Sequence, residues 1–180
     1  MLMKHENSTL LVIDVQQKLA PVLEGSTQLV ANCVWLAEVA ARVGVPVVVT
    51  EHFPDKLGPT LPEVKAATAG APCLSKTHFS AAGESVLRGT EIERRRQVVV
   101  CGAEAHVCVL QTVLELRWAG KEVFVVAEAT GSRRSADREL AFARMRAHGI
   151  DIVSREMVAF EWLQRGGTEL FRAVSRDFIR

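Results

Sequence analysis

Apolar residues along this chain gather in short, nearly unbroken runs, separated by longer stretches in which they recur every three or four positions. TLLVID (9–14), PVVVT (46–50), QVVVC (97–101), EVFVVA (122–127) and IDIVS (150–154) are runs of the first kind, with a weaker one over 72–76. A strand covered on both faces needs such a continuous run, whereas a strand with one wet face would alternate. In the second kind, Leu29, Cys33, Leu36, Ala40 and Val43 fall on one helical face from Ser26 to Val43, and Gly44 is placed to end that helix. Further helices are predicted over 105–119, stopped by Gly120, and over 135–148, begun by Ser135 as N-cap and stopped by Gly149. EHFPDKLGPTLP (51–62) reads as a loop, and the chain from 155 to its end reads as helical with a break near Gly166-Gly167.

This alternation, with no repeat and no linker, predicts one α/β domain over residues 1–180, a parallel sheet held between two helix layers. Right-handed crossovers bring the C-terminal ends of all strands to one edge. Ligands of such open sheets bind beyond that edge, where the strand order reverses.

Composition narrows the partners. Twenty-two Lys and Arg against 21 Asp and Glu leave a net charge of +1, so no polyanion is expected and nucleic acid is not the default partner. An apolar content of 48% excludes a disordered chain. No apolar run reaches the roughly 18 residues of a membrane span, and the polar N-terminus MLMKHENSTL does not suit a signal peptide, so a cytoplasmic protein without a membrane partner is expected. Cys33, Cys73, Cys101 and Cys108 are too scattered for a disulfide framework; the first three lie in apolar runs and read as core residues. Arg94, Arg95 and Arg96 read as a solvated turn, and Trp35, Trp118 and Trp162 as packing or interface residues.

Three reactive side chains fall at the predicted strand ends. Asp14 closes the first strand, Lys76 closes the third, and Cys108 lies seven residues beyond the Cys101 that ends the fourth. A cysteine in the first turn of helix 105–119 faces unpaired N–H groups and the positive helix end, which favour thiolate. Asp14 is then placed to accept the thiol proton and Lys76 to hold both anions, while N–H groups around Glu104 to Cys108 form an oxyanion site. Taken singly, each residue reads equally well as core, cap or solvated side chain; the joint placement carries the reading. Gln16, His52, Phe79 and His106 are pocket candidates, although Gln16 suits local hydrogen bonding as well. No G-x-G-x-x-G, Walker A or G-x-S-x-G pattern occurs, and the five histidines form no ligand spacing, so neither a cofactor nor a metal is expected.

LLVIDVQ (10–16), LSKTHFSA (74–81) and VVVCGAEAHVCVLQTVLEL (98–116) together resemble the isochorismatase-like cysteine hydrolase superfamily, over essentially the whole chain. TEHFPDKLGPT (50–60) and SRRSADRELAFARMRAHG (132–149) look like its isochorismatase domain-containing branch. The resemblance implies a three-layer α/β/α fold around a six-stranded parallel sheet of order 3-2-1-4-5-6. It also implies a catalytic triad of Asp14, Lys76 and Cys108, a non-proline cis peptide at Ala103-Glu104, and oxyanion donors in the backbone N–H groups of Glu104 and Cys108. Isochorismatases proper have no cysteine at the nucleophile position, so Cys108 points to amide or related acyl chemistry. The metal cluster of nicotinamidases is not matched by Glu51, His52 and Asp55. The expected function is hydrolysis of a small-molecule amide by a homo-oligomer, and the rival is a non-catalytic small-molecule binding or scaffold protein that keeps the fold.

Overall fold

The computed structural model describes residues 1–83 and 85–179; Arg180, the end of the predicted C-terminal helical stretch, lies outside the described residues. Six parallel strands form one sheet: β1 (Ser8–Ile13), β2 (Val47–His52), β3 (Cys73–Lys76), β4 (Gln97–Ala103), β5 (Glu122–Gly131) and β6 (Asp151–Val153). Their order is β3-β2-β1-β4-β5-β6, so the reversal falls between β1 and β4, as the resemblance implied.

The continuous apolar runs are explained by what covers them. Leu10 and Val12 of β1, Val99 and Cys101 of β4 and Phe124 and Val126 of β5 face one helix layer, built on α1 (Ser26–Val43), α3 (Pro62–Ala67), α7 (Arg155–Leu163) and α8 (Glu169–Val174). Their neighbours Leu11, Ile13, Val98, Val100, Val123 and Val125 face the other, built on α4 (Glu91–Arg94), α5 (Leu110–Trp118) and α6 (Ser135–Ala147). A fully buried Leu or Val stabilises by about 1.5–3 kcal/mol, so the two cores dominate the stability of the sheet. Helix α1 runs over the predicted residues, and Gly44 ends it with φ 77, a left-handed value that glycine adopts freely.

Several expectations are corrected. β2 continues through His52, and the 51–62 segment is not a plain loop: it holds the short helix α2 (Pro54–Leu57) and the start of α3. It is stitched to the chain after β1 by backbone bonds from Gln17 to Pro59 (3.0 Å), Lys18 to Leu57 (2.9 Å) and Leu61 to Val15 (2.9 Å). β4 passes Cys101 and runs to Ala103. Ser135 is the first residue of α6 rather than its cap; its N–H donates to the Glu24 carboxylate at 2.8 Å, which occupies the helix N-terminus from outside. Cys73 is exposed, because β3 is an outer strand with one unpaired edge, whereas Cys33 and Cys101 are buried as read. Trp162 is packed in its own core at 1% exposure and Trp118 is 68% exposed. The arginine turn is solvated at Arg94 and Arg96, while Arg95 folds back onto the carbonyls of His5 and Ser8. Among the described residues, no helix is long and apolar enough to cross a membrane.

Candidate active site

Asp14 is the residue after β1, turned out of the strand with φ 51 and fully buried. Its N–H still pairs with the Thr50 carbonyl at 3.1 Å, which keeps the residue in register with β2. The Thr50 hydroxyl donates to Oδ1 at 2.8 Å and the Lys76 ammonium to Oδ2 at 2.7 Å. Lys76 closes β3, its side chain fully buried, and donates also to the carbonyls of Phe79 (3.0 Å) and His78 (3.3 Å). Two buried opposite charges, each with further hydrogen bonds, can balance their desolvation; either one alone would not. Thr50 is a residue that sequence reasoning missed, although it is the one polar side chain in the run PVVVT.

Cys108 arrives from the other side of the reversal. The Ala103-Glu104 peptide is cis, as the resemblance implied, and the chain then enters a single π-helical turn, Ala105–Val109, before α5 begins at Leu110. The N–H groups of Val107 (3.0 Å) and Val109 (3.2 Å) both close on the Glu104 carbonyl, with the Cys108 N–H between them. Gly102 makes this approach possible. Its φ is 120, and a Cβ there would collide with the carbonyl oxygen of Ile13 and stand 2.7 Å from the Ile13 nitrogen. Only glycine lets β4 run this close to the end of β1.

The thiol's ionisation runs against the expectation drawn from a helix N-terminus. Burial, and then the Asp14 carboxylate, push the Cys108 thiol up to about 12, and the Lys76 charge offsets this only in part. The reason is positional: Cys108 lies buried in the π turn, where desolvation outweighs helix dipole effects. The thiol is therefore held neutral beside the Asp14–Lys76 ion pair.

The pocket candidates divide. Gln16 is fully buried, and its amide donates to the carbonyls of His52 (3.0 Å) and Gly58 (2.7 Å) and accepts from the His52 N–H (2.8 Å), clasping the segment after β2. The His52 ring meets Phe53 edge-on (4.9 Å) and Phe79 at a tilt (5.2 Å), and both phenylalanines are about half exposed. His106 in the π turn meets the Ser132 hydroxyl at 2.9 Å. Among the described residues, no group of three or more His, Cys, Asp and Glu side chains is gathered as a metal site would require.

Fold and site define a three-layer α/β protein with an acid, a lysine and a cysteine brought together at the reversal of a parallel sheet. The Isochorismatase domain matches residues 8–157, and the chain belongs to the isochorismatase family, whose fold supports a hydrolase. It is 33% identical over 172 residues to isochorismatase domain-containing protein 2 of Danio rerio, covering 95% of this chain and 86% of that protein. Among solved structures, it superposes on the MAR1 ribonuclease of Caenorhabditis elegans with a TM-score of 0.92 and 30% identity, covering 100% of this chain and 93% of that one. YcaC from Pseudomonas aeruginosa, solved with hexane-2,5-diol and covalent acrylamide, gives a TM-score of 0.90 and 25% identity over 99% of this chain and 92% of that one.

Proposed function

We propose that this protein is a cysteine hydrolase that cleaves a small-molecule amide through a thioester on Cys108. The observation that carries the reading is the buried Asp14–Lys76 ion pair, 2.7 Å apart, set against a buried thiol at the β1–β4 reversal. A structural ion pair has no need of a cysteine beside it, and the Asp14 charge raises the thiol, as a neighbouring base would.

Because the thiol is neutral at rest, its proton leaves as the bond to carbon forms. Asp14 takes that proton while Sγ attacks the amide carbonyl, and Lys76 keeps the carboxylate oriented through Oδ2. The carbonyl oxygen becomes an oxyanion on the N–H groups of Glu104 and Cys108. The tetrahedral intermediate expels the amine, which takes the proton back from Asp14. Water then attacks the thioester, giving one proton to Asp14; the acid departs, and Asp14 returns that proton to the Cys108 sulfur. No cofactor enters this sequence.

The C. elegans relative is described as a ribonuclease. Acyl carbon suits this chain better than phosphorus, since its nucleophile is a thiol, its buried lysine is engaged by Asp14, and its net charge is +1. The covalent acrylamide on the P. aeruginosa relative is in keeping with a reactive side chain in that protein. Assembly as a homo-oligomer is part of the same reading, supported by the exposed Trp118 (68%) and Leu140 (70%); light scattering on the purified protein tests it.

The test of function is a panel of small amides, with RNA included, in which release of amine is followed and acid-quenched protein is weighed for an acyl group on Cys108. Turnover of an amide that Cys108→Ala lacks, with a trapped acyl group on the cysteine, is the expected result. Equal turnover by Cys108→Ala refutes the mechanism. Unchanged binding of a ligand without product favours the rival reading of a binding protein.

A further inference from the structure

The ladder between β4 and β5 ends at Ala103 and Gly131, one residue before the proposed oxyanion loop begins. Backbone pairing therefore stops where positional accuracy matters most. Side chains continue it. Glu104 Oε2 accepts from the Arg133 N–H at 3.0 Å and from the Arg133 Nε at 3.0 Å, and the His106 ring meets the Ser132 hydroxyl at 2.9 Å.

Glu104 is the hub of this arrangement. Its carbonyl gathers the N–H groups of Val107 and Val109, which shapes the turn that carries Cys108. Its carboxylate, 9% exposed, reaches away from that turn to the chain leaving β5, while the Arg133 side chain is 60% exposed. An ion pair with so exposed a partner contributes little to stability. What it does supply is geometry: one oxygen receives a backbone and a side-chain donor together, so residue 104 is held by its backbone on one side and by its carboxylate on the other.

We propose that Glu104, through its carboxylate, and Arg133 are positioning residues that fix the oxyanion-binding N–H groups of Glu104 and Cys108 for acyl transfer. This rests on the reading of Cys108 as the nucleophile of an acyl-transfer reaction. It goes beyond that reading by assigning work to two side chains that need touch neither substrate nor sulfur.

Two reagents that use the same sulfur differently test it. With p-nitrophenyl acetate, the Cys108 sulfur bonds to the acetyl carbon, p-nitrophenolate leaves and the thiol proton passes to Asp14; a carbonyl oxyanion forms on the way. With iodoacetamide, the sulfur bonds to a saturated carbon, iodide leaves and the thiol proton again passes to Asp14; no oxyanion forms. The rates of both are measured for Cys108, located by peptide mass spectrometry, in the wild-type protein and in Glu104→Gln, Glu104→Ala and Arg133→Ala. Loss of one oxyanion donor costs about 100- to 1000-fold. A donor that has only drifted should cost less, so Glu104→Ala is expected to slow acylation about 10- to 100-fold while alkylation changes less than about threefold. Glu104→Gln, which keeps an acceptor for the Arg133 N–H, should recover part of the loss, and Arg133→Ala should fall between. An acylation-to-alkylation ratio that stays at the wild-type value in Glu104→Ala and Arg133→Ala overturns the assignment. Should Glu104→Ala fail to fold, Glu104→Gln and Arg133→Ala decide by the same ratio. A wild-type Cys108 that alkylates but does not acylate counts against the acyl-transfer reading itself, and with it this one, which separates the two failures.

Discussion

Replacing Asp14 by Asn should make Cys108 easier to ionise while abolishing turnover, an opposition that few other mechanisms produce. Asn keeps one oxygen for the Lys76 ammonium, now at 2.7 Å from Oδ2, and turns an amide N–H toward the Thr50 hydroxyl oxygen, which can accept where it donated to Oδ1 at 2.8 Å, but it removes the negative charge. In the native site the thiol is pushed from 9.0 up to about 12, first by burial and then by Asp14, with Lys76 opposing. Three units correspond to about 4 kcal/mol in favour of the neutral thiol, or about a thousandfold less thiolate at a given pH. In Asp14→Asn the burial remains, the opposing anion is gone and the Lys76 charge acts on the sulfur without competition. The midpoint should fall by at least about one unit, tenfold in thiolate. The assay is far-ultraviolet thiolate absorbance against pH, with Cys108→Ser as the blank, run beside amide turnover. The wild-type protein should show no Cys108 ionisation between pH 7 and about 10, and the variant should bring it into or toward that range. A midpoint that rises or stays fixed in Asp14→Asn would refute the claim that the Asp14 charge governs the thiol.

Lys76→Met should lower stability by about 3–5 kcal/mol, read as a shift of the urea midpoint, because it strands the buried Asp14 carboxylate on Thr50 alone; a loss under about 1 kcal/mol would mean that the pair behaves as an exposed one. Adding Asp14→Asn to that variant should restore part of the loss, since the stranded charge is then removed. Gly102→Ala should cost roughly 3 kcal/mol or more, through both its φ of 120 and the collision with the Ile13 carbonyl, and should slow Cys108 acylation if it folds; denaturant titration checks the first part. Stability should also fall as the pH rises. The folded Cys108 holds its proton up to about 12, whereas in the unfolded chain a thiol releases it near 9.0, so the stabilising contribution is complete below 9 and is lost progressively from about 9 to about 12. Cys108→Ala should lack that component, which unfolding curves at pH 8 and pH 10 can compare.

Much of this molecule was legible before its structure. The apolar runs placed five strands, because a strand covered on both faces has no room for polar alternation, and a weaker run over 72–76 placed β3; the spacing from Leu29 to Val43 placed α1. Asp14, Lys76 and Cys108 stood out because each sits at a strand end or just past one, and the alternation of strands with helices brings those ends to one edge. The strand order, and with it the pairing of the first and fourth ends, came from resemblance rather than from periodicity.

What remained hidden depends on contacts between residues distant in the chain. No spacing rule couples Thr50 to Asp14, or Glu104 to Arg133 across 29 residues. Cys73 carried the pattern of a core residue, yet it is exposed because β3 ended up outermost, a matter of topology and not of local sequence. The partners of the Gln16 amide, the carbonyls of His52 and Gly58, lie 36 and 42 residues away in the chain, and only the fold brings them together. The ionisation of Cys108 is the sharpest case. A helix N-terminus predicts a lowered thiol, but a pKa is set by burial and by the charges within a few ångströms, and only the tertiary structure buried that sulfur beside an anion. Local sequence determined which elements form and which chemistry-bearing residues lie at their ends; the packing of those elements decided which side chains meet and how each one titrates.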